Sequence, residues 1–352
     1  MPRPSRALSA LSLLLLASCS GFRQAPLAPS ASGLAGLEQR LIRPTATHRA
    51  AAPERPVRTW MAPGSSSMKR LLYLSDQSTQ SVQVFDFGSG RNVGELGGFK
   101  SPYGQCVDKR GDVFLTTESG SVGAVLEYSH GGDTPVRTFV TDGHPIGCSI
   151  SPVGGDLAVD NGTPSGGSDV EIWRHASGTP LSYANSQDCN EMWPPGYDAA
   201  GDLFVETTSA NSVCELPQGG SALIAVEFPT PINYPGAVMW DGKYLAFADQ
   251  AFEAYYTAVY QVSVDASGVL QLAHTTVLST KGCGADIIQP FVVGMDNTPG
   301  NTQQGRTIVG GNLGCDSRSP VWFWRYPKGG GAIGRLHHSP AYVVGQSVSI
   351  AK

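Results

Sequence analysis

Val82-Gln83-Val84-Phe85 returns along this chain as Val125-Leu126-Glu127-Tyr128, Val170-Glu171-Ile172-Trp173, Val213-Cys214-Glu215-Leu216, Val259-Tyr260-Gln261-Val262 and Val321-Trp322-Phe323-Trp324. Each copy opens on Val and ends three residues later on an aromatic or apolar side chain, and a Gly-containing turn follows. The copies lie 43, 45, 43, 46 and 62 residues apart, so one unit occurs six times and the last carries an insertion. Self-similarity at this period marks an architecture built by repeating one supersecondary unit.

Upstream of each copy stands a second apolar run: Leu71-Leu72-Tyr73-Leu74, Asp112-Val113-Phe114-Leu115, Asp156-Leu157-Ala158-Val159, Asp202-Leu203-Phe204-Val205, Tyr244-Leu245-Ala246-Phe247 and Thr307-Ile308-Val309. A small polar or acidic residue follows it, namely Asp76, Thr117, Asn161, Thr207, Asp249 or Asn312. Such side chains bond nearby backbone amides and close turns, so their expected role is structural. A third strand is opened by Pro102-Tyr103-Gly104, Pro145-Ile146-Gly147, Pro194-Pro195-Gly196 and Pro235-Gly236. Glycine there permits close approach of inner strands near a narrow axis. A weaker fourth strand follows the Gly turn, as in Val136-Arg137-Thr138-Phe139-Val140. Four short strands per unit of about 40–50 residues make the blade of a β-propeller.

The ends of the repeat region predict how the ring closes. The first unit lacks an opening strand, since Met68 runs straight into Leu71, and the chain finishes on Gly345-Gln346-Ser347-Val348-Ser349-Ile350, an opening strand with no unit after it. Joining the two completes one blade from both termini and leaves no free ring edge. The fold class is therefore all-β: a six-bladed β-propeller over residues 68–352, with a split blade closed by the C-terminal strand and a disordered tether before it. Composition agrees, with 43 Gly and 25 Pro against 15% charged residues, which suits many short strands and turns rather than long helices.

Leu72-Tyr73-Leu74-Ser75-Asp76, Ser81-Val82-Gln83-Val84-Phe85-Asp86 and Ser101-Pro102-Tyr103-Gly104 together resemble the NHL-type propeller repeat. The resemblance extends over residues 68–352 and belongs to the broad gluconolactonase/NHL-type superfamily. Its members include interaction modules, lactone hydrolases, lyases and receptors, so the resemblance implies the fold and leaves the function open. In gluconolactonase-like members a Glu, two Asn and an Asp at inner-strand ends hold one divalent cation. The matching openings here carry Tyr103, Ile146 and Pro195 without Asn, and the Arg-Pro-Asn-Asp and Gly-Pro-Asn-Gly motifs are absent. Metal-activated water would lack its ligands, so neither a metal nor a cofactor is expected.

The N-terminus reads as an address. Arg3 and Arg6 precede an apolar stretch, residues 8–17, too short to span a bilayer. It ends on Leu16-Ala17-Ser18-Cys19, which resembles the bacterial lipobox. That resemblance implies a signal peptide over residues 1–18, acylation of Cys19 and attachment to the membrane through its lipid. Ser20 is not the Asp associated with inner-membrane retention, so an outer-membrane or cell-surface position in the bacterial envelope is expected. Residues 19–67, rich in Ala, Pro, Ser and Arg, form the lipid-anchored linker; they hold too little apolar surface to offset their ordering entropy. Net charge is −5 with no clustered basic run, which excludes nucleic acid as a partner.

Six Cys remain besides Cys19, an even number in an oxidising compartment. Cys189 and Cys283 each lie on the way into a unit, and Cys214 and Cys315 lie within those same units, which favours the pairs Cys189–Cys214 and Cys283–Cys315. Cys106 and Cys148 remain, each near the start of an inner strand, and a link between them would tie adjacent blades. Ligand spacings for zinc are missing.

Candidate ligand-face residues are those before the inner strands. His144, Glu191 and Asp286 supply imidazole and carboxylate groups, while Trp193 and Tyr234 flank loops rather than the repeated core positions. Exposed aromatics on a propeller face suit a sugar or a partner protein. The reading is a binding or interaction scaffold whose partner is another envelope protein or a carbohydrate. The alternative is a hydrolase or lyase with an atypical site at the channel mouth, which requires His144, Glu191 and Asp286 to converge.

Overall fold

A computed structural model describes residues 58–119, 122–162, 168–184, 189–208, 212–253, 256–279, 306–311, 321–336, 338, 340 and 342–352. Cys19, Cys283, Asp286, Cys315, Asn312 and the expected signal peptide lie outside the described residues.

Six sheets follow one another along the chain. Blade 2 is the simplest: Pro102–Val107, Val113–Ser119, Val122–Tyr128 and Pro135–Thr141 pair in order, each antiparallel to the last. Blade 3 repeats this with His144–Ile150, Leu157–Gly162, Ser168–Trp173 and Leu181–Ala184, and blade 4 with Gly196–Tyr197, Leu203–Glu206, Ser212–Leu216 and Ile224–Glu227. Blade 5 comprises Pro235–Trp240, Leu245–Glu253, Tyr256–Val264 and Leu270–Ser279, with Gly330–Gly331 added in parallel at its edge. Blade 6 contains Arg306–Gly310, Trp322–Tyr326 and Gly334–Arg335 among the described residues.

Blade 1 is the split one. Val343–Ile350 pairs antiparallel with Arg70–Asp76 over the register Arg70↔Ile350 to Asp76↔Val343, and forms the innermost strand of a sheet otherwise made from the N-terminal side. His130 of blade 2 helps hold this closure, with its ring between the Met68 carbonyl, 2.7 Å away, and the Ser349 hydroxyl, 2.5 Å away. One boundary needs correction. The linker was expected to reach Ser67, but Trp60–Met61 pairs with Asn92–Leu96 as the outermost strand of blade 1. Buried Ser65 then donates to the Gly131 carbonyl of blade 2 at 2.9 Å. The edge left by Asn92–Leu96 recruits that short strand, which is too brief to register as a hydrophobic period.

The core follows from the two-residue period of a strand, which sends alternate side chains to opposite faces. Leu71 and Tyr73 pack toward blade 2 with Val113 and Leu115, whereas Leu72 and Leu74 pack toward blade 6 with Val309 and Val321. The same division gives six apolar clusters, one for each contact between neighbouring blades. Leu71, Leu72 and Leu74 are at most 1% exposed, so each contributes about 1.5–3 kcal/mol by burial. Near the axis two glycines are sterically required. A Cβ on Gly196 would stand 2.5 Å from the carbonyl of Val238 in blade 5, and one on Gly345 would stand 2.2 Å from the Tyr103 carbonyl in blade 2.

Among the described residues, two disulfides lock this frame. Cys106–Cys148 joins the inner strands of blades 2 and 3 with Cα atoms 5.5 Å apart. Cys189–Cys214 ties the approach to blade 4 to that blade's third strand, with Cα atoms 5.9 Å apart.

Candidate functional site

Each blade presents two sets of connections. The links from second to third strand, and those passing to the next blade, lie on what we term the upper face. The turns joining first to second and third to fourth strands lie on the lower face. His144, Glu191, Trp193 and Tyr234 all fall at upper-face connections.

The polar residues at the ends of the second strands position these connections. Asp249 accepts the backbone N–H of Asn233 and of Tyr234, both at 3.1 Å, together with the Tyr260 hydroxyl at 3.2 Å. Asp76 plays the same part at the ring closure and accepts the Tyr342 N–H at 3.1 Å. Trp193 is fixed through its backbone, whose N–H donates to the Glu206 carbonyl at 3.0 Å. The half-buried rings of Trp193 and Tyr234 thereby meet edge to face across blades 4 and 5, with centroids 5.3 Å apart and planes at 72°. That arrangement suits the aromatic quadrupoles and presents a preformed platform.

The ionisable candidates are distributed differently. His144 Nδ1 lies 3.3 Å from Glu118 Oε1 of blade 2, close enough for a charge contact but without hydrogen-bond alignment. Glu191 is a non-Gly residue in the left-handed region, φ 48°, and its carboxylate accepts the Thr208 hydroxyl at 2.5 Å. It therefore braces its own blade's loops. The structure brings Trp193 and Tyr234 together and places His144 with Glu118. No group of three His, Cys, Asp or Glu side chains gathers as a metal site among the described residues.

Sequence reasoning passed over one register position, the residue just before each turn-closing polar group. It holds Ser75, Thr116, Asp160 and Glu206 in blades 1 to 4, all at most 1% exposed. Ser75 accepts the Gln105 side-chain amide of blade 2 at 2.8 Å, and Glu206 accepts the Gly236 N–H of blade 5 at 2.6 Å. Asp160 accepts the Gly147 N–H within its own blade at 2.7 Å. The other oxygen of each acid is buried and takes no hydrogen bond among the described residues. Burial holds both well above the usual carboxylate range, and the nearby Asp249 charge raises Glu206 further. Glu206 thereby ties blade 4 to blade 5 and Asp160 braces the inner strand of its own blade; the signal was an acid in a register that blades 1 and 2 fill with Ser and Thr.

A cavity opens on the lower face between blades 3 and 4, and none of the sequence-named candidates lines it.

No protein-family model matches this sequence, and no curated protein matches it. Solved structures do resemble it. A chain of a nidogen–laminin complex superposes with a TM-score of 0.56 at 12% identity, over 81% of this chain and 99% of that one. TolB from Acinetobacter baumannii gives 0.54 at 13% identity, over 82% and 68%. A functionally unknown protein from Desulfotomaculum acetoxidans gives 0.51 at 11% identity, over 80% and 99%. Identities this low carry the fold alone: the chain is a six-bladed β-propeller whose neighbours in structure serve varied ends.

Proposed function

We propose that this protein is a binding module, held to the bacterial envelope by lipid on Cys19 and presenting its upper face to another envelope protein or a carbohydrate. The observation that carries the reading is the Trp193–Tyr234 pair. Two large rings from adjacent blades are held in one geometry by backbone hydrogen bonds, so little side-chain entropy is lost when a partner covers them. Aromatic anchors of this kind dominate interface energetics and stack on sugar faces. The hydrolase or lyase reading needs a third polar group at one point, and Glu191 is engaged by Thr208 instead.

The test compares intact protein with Trp193→Ala and Tyr234→Ala variants in cross-linking from solubilised envelopes and on a glycan array. A discrete partner or glycan bound by the parent and lost in both variants is the expected result. Retention of that partner by the double variant refutes the upper-face assignment. Globomycin-sensitive processing and palmitate labelling of Cys19, abolished by Cys19→Ala, test the anchor separately.

A further inference from the structure

The lower-face cavity measures about 160 Å³ and lies at the end of the apolar core shared by blades 3 and 4. Ile172, Leu203 and Leu216 supply its apolar lining. Tyr197 also lines it, only 5% exposed, with a buried hydroxyl that has no hydrogen-bond partner among the described residues. Leaving such a group unpaired is unfavourable, because its desolvation is not offset by a hydrogen bond. Desolvation first, and the neighbouring Asp156 second, raise the Tyr197 pKa, so the phenol is a neutral donor at physiological pH.

Two opposite charges border the same space. Arg174 is exposed and forms no ion pair or side-chain hydrogen bond in the described structure. Asp156 accepts the His175 N–H at 2.8 Å through one oxygen, and its other oxygen takes no hydrogen bond there. Asp156 and Arg174 make no ion pair with each other among the described residues. The rim that carries them is held rigidly. His175 adopts a left-handed φ of 53°, which a side chain disfavours, and its ring N–H donates to the Gly154 carbonyl at 2.7 Å.

A simple anion here would face Asp156, and a simple cation would face Arg174. A ligand carrying both charges satisfies both groups, and its apolar part fills the lining. We propose that this cavity binds a small zwitterion, a free α-amino acid with an apolar side chain. Its carboxylate pairs with Arg174 and receives the Tyr197 hydroxyl, its ammonium pairs with Asp156, and its side chain lies against Ile172, Leu203 and Leu216. The volume suits the side chain, since a cavity of about 150 Å³ admits a benzene-sized group. The site is independent of the upper-face reading, because the two share no residue.

The test is calorimetric titration of the full chain with L-phenylalanine, beside 3-phenylpropanoate, which lacks the ammonium, and phenethylamine, which lacks the carboxylate. L-Phenylalanine is expected to bind saturably with Kd of about 1 mM or tighter, and each half-ligand about tenfold more weakly. Arg174→Gln and Tyr197→Phe each weaken L-phenylalanine about fivefold or more. Tyr197→Phe keeps or raises the unfolding midpoint, because it deletes an unpaired buried hydroxyl. The proposal is overturned by the lack of saturable binding up to about 20 mM, a range that reaches well past millimolar affinity. Equal affinity for either half-ligand, or unchanged binding in either variant, overturns it as well.

Discussion

Replacing both Cys106 and Cys148 by Ala removes the bond between the inner strands of blades 2 and 3. The residues stand 42 apart in sequence, and confining a loop of that length in the unfolded chain corresponds to about 4 kcal/mol. The second disulfide, 25 residues in span, gives about 3.5 kcal/mol by the same relation. Residues 106–148 and 189–214 do not overlap, so the two contributions should add. Urea unfolding at neutral pH measures the difference, with fluorescence and circular dichroism as separate probes. The double variant is expected to lose about 4 kcal/mol, and adding reductant should then destabilise it less than the parent by that same amount. A loss under about 1 kcal/mol would refute the reasoning, because residual structure in the unfolded chain would already confine the loop.

Other perturbations probe the ring and its axis. Gly196→Ala drives a methyl group to 2.5 Å from backbone atoms of Val238, which have no rotamer to yield, so a loss of about 1–3 kcal/mol or more is expected in urea; a loss under about 0.5 kcal/mol counts against close approach at the axis. Deleting Val343–Ile350 strips blade 1 of its innermost strand and bares its partner Arg70–Asp76; loss of the cooperative thermal transition is expected, and a transition like the parent's would contradict closure by the terminal strand. Asp160 and Glu206 have folded pKa values raised by burial, so their contribution is fully present below the unfolded carboxylate value of about 4 and is lost as pH rises toward the folded values. The decline is at most about 1.4 kcal/mol per pH unit for each group, and Glu206→Gln should remove one group's share from stability curves taken between about pH 5 and 8. Curves of equal slope for parent and variant would show that Glu206 is not held neutral.

Most of the ring was legible in the linear chain. The alternation in Leu71-Leu72-Tyr73-Leu74 assigns side chains to two inter-blade cores because a strand has period two. The unpaired Gly345-Gln346-Ser347-Val348-Ser349-Ile350 predicted the closure that Val343–Ile350 makes with Arg70–Asp76. Repeat register likewise placed Cys106 beside Cys148 and Cys189 beside Cys214, since register fixes where equivalent backbone positions fall in space. Trp60–Met61 escaped because two residues carry no period.

Sites were another matter. His144, Glu191, Trp193 and Tyr234 all fall at connections on one side of the ring, yet only the structure paired the two aromatics and engaged Glu191 with Thr208. The lower-face cavity had no sequence signature at all. Asp156, Arg174 and Tyr197 come from separate turns and strands of two blades, and their meeting depends on how those blades pack. Periodic pattern determines which side of a strand a residue occupies. Which residues of one blade face which of the next, and what space remains between them, was decided by tertiary packing alone.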